Sequence, residues 1–236
     1  KSVVRLVDGH PAPEFVERHL IGPLDEVLAP MGEKAAASSI IRAVGRPGVT
    51  PRAIYSLKLV APIELEFAPL IDILYTSGRA GFNHFFLAVA GPGDTRRFLE
   101  VDPPMFTMDQ PPPPSVKIFV LKDGIRVWSL AQAGSEPTEH GHGFQKTIAL
   151  GRGDLPLGDP ARWNLPELDQ ALEQIKRADP EVVDAVISGE HDIPLAVFVE
   201  VLNRAAGDGC PAEFASREDE LAKCRFPYLS IEAGSG

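Results

Sequence analysis

The sequence predicts an α+β protein of two tandem lobes, each with helices packed on one face of a small mixed sheet. Three observations lead there. The first is a duplication: Leu70-Ile71-Asp72-Ile73-Leu74 recurs as Phe198-Val199-Glu200-Val201-Leu202, and Ser56-Leu57-Lys58-Leu59 recurs in register as Asp184-Ala185-Val186-Ile187. Both matches share an offset of 128, and so long a period marks a repeated structural unit. The second is that helical and strand periods alternate in each copy, every element with one apolar face. The third is a break between the copies, where residues 91–114 hold seven prolines, four of them consecutive from Pro111 to Pro114. A tract of that kind stays extended and buries little. The organisation follows as a first lobe over 1–100, a connector over 101–114 and a second lobe over 115–236.

In the first lobe, 2–7 reads as a strand ending at the Asp8-Gly9 turn. Residues 13–28 carry helical spacing at Phe15, Leu20, Leu24, Val27 and Leu28, with Pro23 kinking or dividing the helix. Residues 53–60 alternate as a strand. Helical spacing returns over 66–77 through Phe67, Leu70, Ile71, Leu74 and Tyr75, closed by Gly78 or Gly81, and 84–89 is a final strand.

The second lobe opens with a hairpin, 116–121 and 125–130 around Asp123-Gly124, followed by a polar loop over 132–143 and a strand over 146–150. Residues 165–177 form the clearest helix. Asn164 is positioned to cap it, Pro166 suits the first turn, Leu165, Leu168, Leu172 and Ile175 form the buried stripe, and Lys176 and Arg177 sit at the negative end of the dipole. A strand over 182–188, a helix over 194–205 and a strand over 226–231 complete it. Superposing 53–90 on 184–231 implies 14 extra residues in the second copy, because Tyr228 set against Phe86 shifts the offset to 142.

At 236 residues each lobe can hold a core of its own. The formal charge of −10 divides as 11 basic and 13 acidic residues up to Gln110 and 12 and 20 beyond it. Neither lobe has the basic face that phosphate neutralisation requires, so no nucleic-acid partner is expected. No apolar run approaches the roughly 18 residues of a membrane span. The two cysteines, Cys210 and Cys224, bracket 211–223 without zinc-ligand spacing. They suggest a disulfide in an oxidising compartment; two free thiols, or two small apolar side chains, is the other reading.

Enzymatic patterns stop short. Glu139-His140-Gly141-His142 offers two imidazoles without the third or fourth ligand a metal wants, Gly91-Pro92-Gly93-Asp94 and Gly151-Arg152-Gly153-Asp154 read as turns, and no nucleophile elbow occurs. Asp192 of His191-Asp192 reads as a helix cap, Asp72 as a solvated helix residue, and Trp128 and Trp163 as core or staple residues rather than ligand anchors. No catalytic residue, metal or cofactor is assigned, and the protein is read as non-enzymatic, with an uncharacterised hydrolase as the remote alternative.

Lys122-Asp123-Gly124, the helix Leu168 to Leu172, the strand to Ile187, the acidic-proline loop His191-Asp192-Ile193-Pro194 and the helix containing Phe198 to Leu202 together resemble the periplasmic part of the ExbD/TolR biopolymer-transport proteins. Pro69-Leu70-Ile71-Asp72-Ile73-Leu74-Tyr75-Thr76 and the following Gly81-Phe82 extend the resemblance to a two-lobed variant. It implies the periplasmic part of a single-pass inner-membrane protein in a proton-motive-force-driven complex. Its partners would be an ExbB/TolQ-like membrane protein, met through a helix upstream of Lys1, and a TonB/TolA-like protein or peptidoglycan. The alternative is a peptidoglycan-anchoring scaffold without motor coupling. The lobes would form an internal pseudo-dimer, and the whole chain a possible homo-dimer. Without a pocket motif, recognition falls to unpaired strand edges, for which Val3, Val4 and Leu6 near the start and Leu229 and Ile231 near the end are the candidates.

Overall fold

A computed structural model describes residues 6–7, 10–43, 56–62, 64–82, 84–90, 96–101, 115–129, 144–207, 210 and 223–232. The α+β class holds, with four helices beside two main sheets among the described residues. In the first half, β1 (Leu6–Val7) pairs antiparallel with β2 (His10–Pro11), and the turn expected at Asp8-Gly9 lies outside the described residues. The helix read over 13–28 is corrected: a 3-10 turn at Pro13–Phe15 leads into a hairpin of β3 (Val16–Glu17) and β4 (Leu20–Ile21), and α1 runs from Gly22–Ala43. Pro23 lies in the first turn of α1, where the missing N–H costs nothing, so it starts the helix instead of kinking it. The two-residue hairpin loop puts Arg18 and His19 at φ +48° and +69°, the left-handed pair that such a tight turn needs.

The main sheet of the first half joins β5 (Ser56–Leu59) in parallel to β6 (His84–Ala90), with α2 (Phe67–Arg79) as the crossover, and β6 antiparallel to β7 (Arg96–Val101). The strand β7 corrects the reading of 91–114 as connector throughout. It pairs over its whole length, from Ala90 opposite Arg96 to Phe85 opposite Val101.

The second half is a five-stranded sheet, ordered β10-β9-β8-β11-β12. β8 (Ser115–Leu121), β9 (Gly124–Ser129) and β10 (Phe144–Ala149) are antiparallel; β11 (Asp184–Gly189) lies parallel to β8, and β12 (Tyr228–Ile231) parallel to β11. Gly124 is required at the hairpin, since at φ +151° an added Cβ would stand 2.3 Å from the Ile148 carbonyl oxygen. The helices α3 (Leu165–Ala178) and α4 (Leu195–Ala206) cover one face, over Val116, Ile118, Val120, Ala185 and Ile187. Asn164 does not cap α3 through its side chain; its Nδ2 donates to Glu167 Oε2 at 2.7 Å, drawing the pair together above the first turn. Lys176 reaches past the helix end and donates to the carbonyls of Pro180 and Val182.

The duplication is visible in the packing. The units β5-α2-β6 and β11-α4-β12 are both parallel strands joined through a helix. Phe67, Pro69, Leu70, Ile71, Leu74 and Ser77 are buried on α2; so are the residues 128 further on, Leu195, Val197, Phe198, Val199, Leu202 and Ala205. Strand register sets His84 against Tyr228, not Phe86, because Ser56 faces His84 and Asp184 faces Tyr228. The second copy is therefore 16 residues longer than the first, not 14, and both cysteines lie in the extra segment.

Between the copies, Glu66 and Pro194 form an antiparallel bridge, and they are themselves 128 residues apart. The Phe67 amide donates to the Ile193 carbonyl at 3.0 Å, and the Leu195 amide returns the bond to Leu65 at 2.6 Å. These two bonds are images of each other under the repeat, so the halves meet about a local two-fold. The helices form one layer in the order α1, α2, α4, α3, and the apolar core runs unbroken through both halves.

The repeat also exposes a mismatch. Ser77 is fully buried, and its hydroxyl has no hydrogen-bond partner, where the second copy has Ala205. An unsatisfied buried hydroxyl costs about 1–3 kcal/mol. Ser77→Ala should therefore raise the midpoint of chemical denaturation, and an unchanged or lowered midpoint would count against this account.

Candidate partner-binding edges

The sequence placed recognition at strand edges. Val3 and Val4 lie outside the described residues. Leu6 sits opposite Pro11 in the two-residue ladder of β1 and β2, which joins neither main sheet. Pro11 has no N–H to donate, so Leu6 cannot exchange two bonds with it, and by alternation with the Val7–His10 pair Leu6 directs its own amide away from β2.

Leu229 and Ile231 belong to β12, the terminal strand of the five-stranded sheet. The Tyr228 amide donates to Val183 and the Glu232 amide to Ile187, both inward. By alternation, the amides of Leu229 and Ile231 face the outer edge. Their side chains point into the core and are 4% and 1% exposed, so only the backbone is available there. Along that edge runs β7 of the first half, with Cα atoms within 8 Å but no ladder joining the two strands. The edges of the two main sheets thus meet side by side at β7 and β12, and their far edges are β5 and β10.

Near the two-fold, the parallel strands β8 and β11 end in a charged cluster. Lys122 Nζ lies 2.6 Å from Asp192, and the Lys122 amide donates to Glu190 at 2.7 Å. The hydrogen bond that Lys122 donates to Asp192, the charge of Asp192, and the further carboxylates of Glu190 and Glu66 raise the Lys122 ammonium above its usual range. Asp192 is thus held by a lysine and does not cap α4, whose first turn follows Pro194 without a side-chain cap. The neighbouring His191 carbonyl accepts the Ala68 amide across the seam.

Asp72 is likewise not simply solvated. Its carboxylate is 14% exposed and lies 2.7 Å from His19 Nδ1, while Thr76 Oγ1 accepts the Ile21 amide, so α2 holds the β3–β4 hairpin through two side chains. No local pattern announces this contact, because His19 and Asp72 are 53 residues apart. Trp163 is buried with its Nε1 donating to Leu157 O, as a core residue; Trp128 is half-buried on the sheet face away from the helices, opposite Lys117. The Gly151 segment is a turn whose amides at 151 and 152 donate to the Arg162 carbonyl. His140, His142 and Gly91 to Asp94 lie outside the described residues. Among the described residues no group of three or more His, Cys, Asp or Glu is placed to hold a metal, and no helix is long and apolar enough to cross a membrane.

Asp184, at the start of β11 between Ser115 and Tyr228, is raised above the usual carboxyl range by burial. Its charged form is therefore disfavoured in the folded chain. That cost is fully present above the raised pKa and is relieved as pH falls through it. Asp184→Asn should raise Tm at neutral pH, with the gain shrinking as the solution is acidified; a gain that grows in acid would contradict the assignment.

The Cys210–Cys224 disulfide is formed. Just beyond it, Arg225 donates to Glu173 and Asp169 of α3 and to the Arg204 carbonyl of α4, fastening the extra segment of the second copy to both helices. Comparison with models of known families, with curated proteins and with solved structures finds no match to this chain. What the fold defines is a class: an α+β protein built from two copies of a parallel strand-helix-strand unit, joined about an internal two-fold.

Proposed function

We propose that the protein is a non-enzymatic, periplasmic interaction module of a membrane-anchored, proton-motive-force-driven transport or energy-transduction complex of the ExbB/ExbD or TolQ/TolR type, binding a TonB/TolA-like protein or peptidoglycan. The observation that carries this reading is the second half itself. It sets an Asp-Gly hairpin, a helix, a strand, an acidic-proline loop, a second helix and a terminal strand in the order the resemblance implies, and the first half repeats its strand-helix-strand core. The amides of Leu229 and Ile231, which face β7 without a ladder to it, would serve an extended partner segment through main-chain hydrogen bonds if it entered between the two strands.

NMR titration with an extended, proline-rich partner segment, and separately with peptidoglycan fragments, tests the proposal. Shifts are expected along β12. Leu229→Pro removes an outward amide without touching the ladder to β11 and should weaken peptide binding, while alanine there should do less. Shifts confined to the residues around His140 would reject strand addition. An upstream membrane helix with an embedded aspartate is also required by this reading, and a gene without one would sink the motor role and leave the scaffold.

A further inference from the structure

The far edge of the five-stranded sheet was not among those the sequence singled out, and its geometry follows from the ladders. Val120 accepts the Glu190 amide on the β11 side, so the next residue, Leu121, turns its peptide groups toward β9 and closes the hairpin with Gly124 as a hydrogen-bonded pair. Alternation along β9 then aims Ile125 and Val127 at β10, where their partners are Ile148 and Lys146. The N–H and C=O groups of Gln145, Thr147 and Ala149 therefore point outward, and all three residues are exposed. The described neighbours of β10 are β9 on its inner edge and α3 on its helix face.

This edge has little of the protection usual at a sheet margin. It contains no proline, its ladder to β9 runs without a bulge, and its one charge, Lys146, is drawn toward Glu167 of α3 at 3.0 Å.

We propose that β10 pairs antiparallel with β10 of a second copy of this chain, about a two-fold axis at Thr147. Residues opposite each other in an antiparallel pair must share a face, and an axis at Thr147 meets that condition. It sets Thr147 against Thr147, Gln145 against Ala149 and Lys146 against Ile148. All three outward residues are then used, no like charges face each other, and a central threonine pair is a favourable cross-strand match. The product is a continuous sheet of ten strands from two second lobes, with both α3 helices on one face. The strand is self-complementary in register, side-chain face and charge, which favours a second copy over a foreign strand.

Sedimentation of the full chain over a concentration series should show the mass doubling. Thr147→Pro deletes the central outward donor and spares the bonds to β9, so it should hold the protein as one copy with unchanged circular dichroism. Should that variant fail to fold, Thr147→Lys places like charges across the axis and should give a dimer that weakens at low salt. Register is read by cross-linking. Thr147→Cys should form a disulfide-linked dimer, since directly opposed Cα atoms in a hydrogen-bonded pair are about 5.5 Å apart, within disulfide reach. Gln145→Cys should not link to itself. A mass of one copy at every concentration, a dimer that survives both substitutions, or equal cross-linking at 145 and 147 would each overturn the proposal. So would a single copy that instead takes up an added extended peptide at Thr147.

Discussion

Truncating Phe198 to alanine is expected to cost about 3–5 kcal/mol of stability, the range for a fully buried aromatic side chain. Phe198 and Phe67 stack with ring centroids 4.0 Å apart and planes inclined by 6°, and neither is exposed. One ring comes from each copy, so the contact joins the halves as well as filling the core. Gly189 makes the room, since a Cβ there would come within 2.5 Å of the Phe198 ring. Phe67→Ala should cost a similar amount. The double variant should lose less than the sum by about 0.5–1.5 kcal/mol, the worth of an aromatic pair beyond its burial. Urea denaturation of the four proteins measures this. Strict additivity would mean that the rings do not couple the copies.

Removing the disulfide is the second large effect. Replacing Cys210 and Cys224 by alanine frees a loop of about 15 residues, which in the chain-entropy account loses about 3 kcal/mol. The bridge and Arg225 fasten the same segment, so Arg225→Ala should cost more without the disulfide than with it. Thermal unfolding of both backgrounds reads the difference. Equal losses would show that the two fastenings act independently, and iodoacetamide labelling of both thiols in unfolded, unreduced protein would remove the basis of the prediction.

What could be read from the sequence was whatever depends on neighbours along the chain. The apolar spacing of α2, α3 and α4, the Asp123-Gly124 hairpin and the offset of 128 all appear as local patterns, and each is present in the fold. The β3–β4 hairpin escaped because its turn residues, Arg18 and His19, are not the glycine or asparagine that announce left-handed backbone. The strand β7 was hidden by its place among prolines, although Leu99 and Val101 alternate with Phe98 and Glu100. At the edges, sequence found the outward amides of Leu229 and Ile231 but could not see β7 alongside them. The partners of Asp72 and Asp192 were out of reach for the same reason, since each is supplied by a distant segment.

The mirrored bonds between Leu65-Phe67 and Ile193-Leu195 bear on how such a molecule can change. Had the two units been identical chains, every substitution would arrive on both sides of the axis at once, and any extra loop near it would confront its own image. Covalent union removes that coupling of fates. One unit has a serine where the other has an alanine, and one carries a cross-linked segment that the other lacks. Selection can act on either side while the shared axis remains intact, so the two faces of this protein are free to meet different molecules.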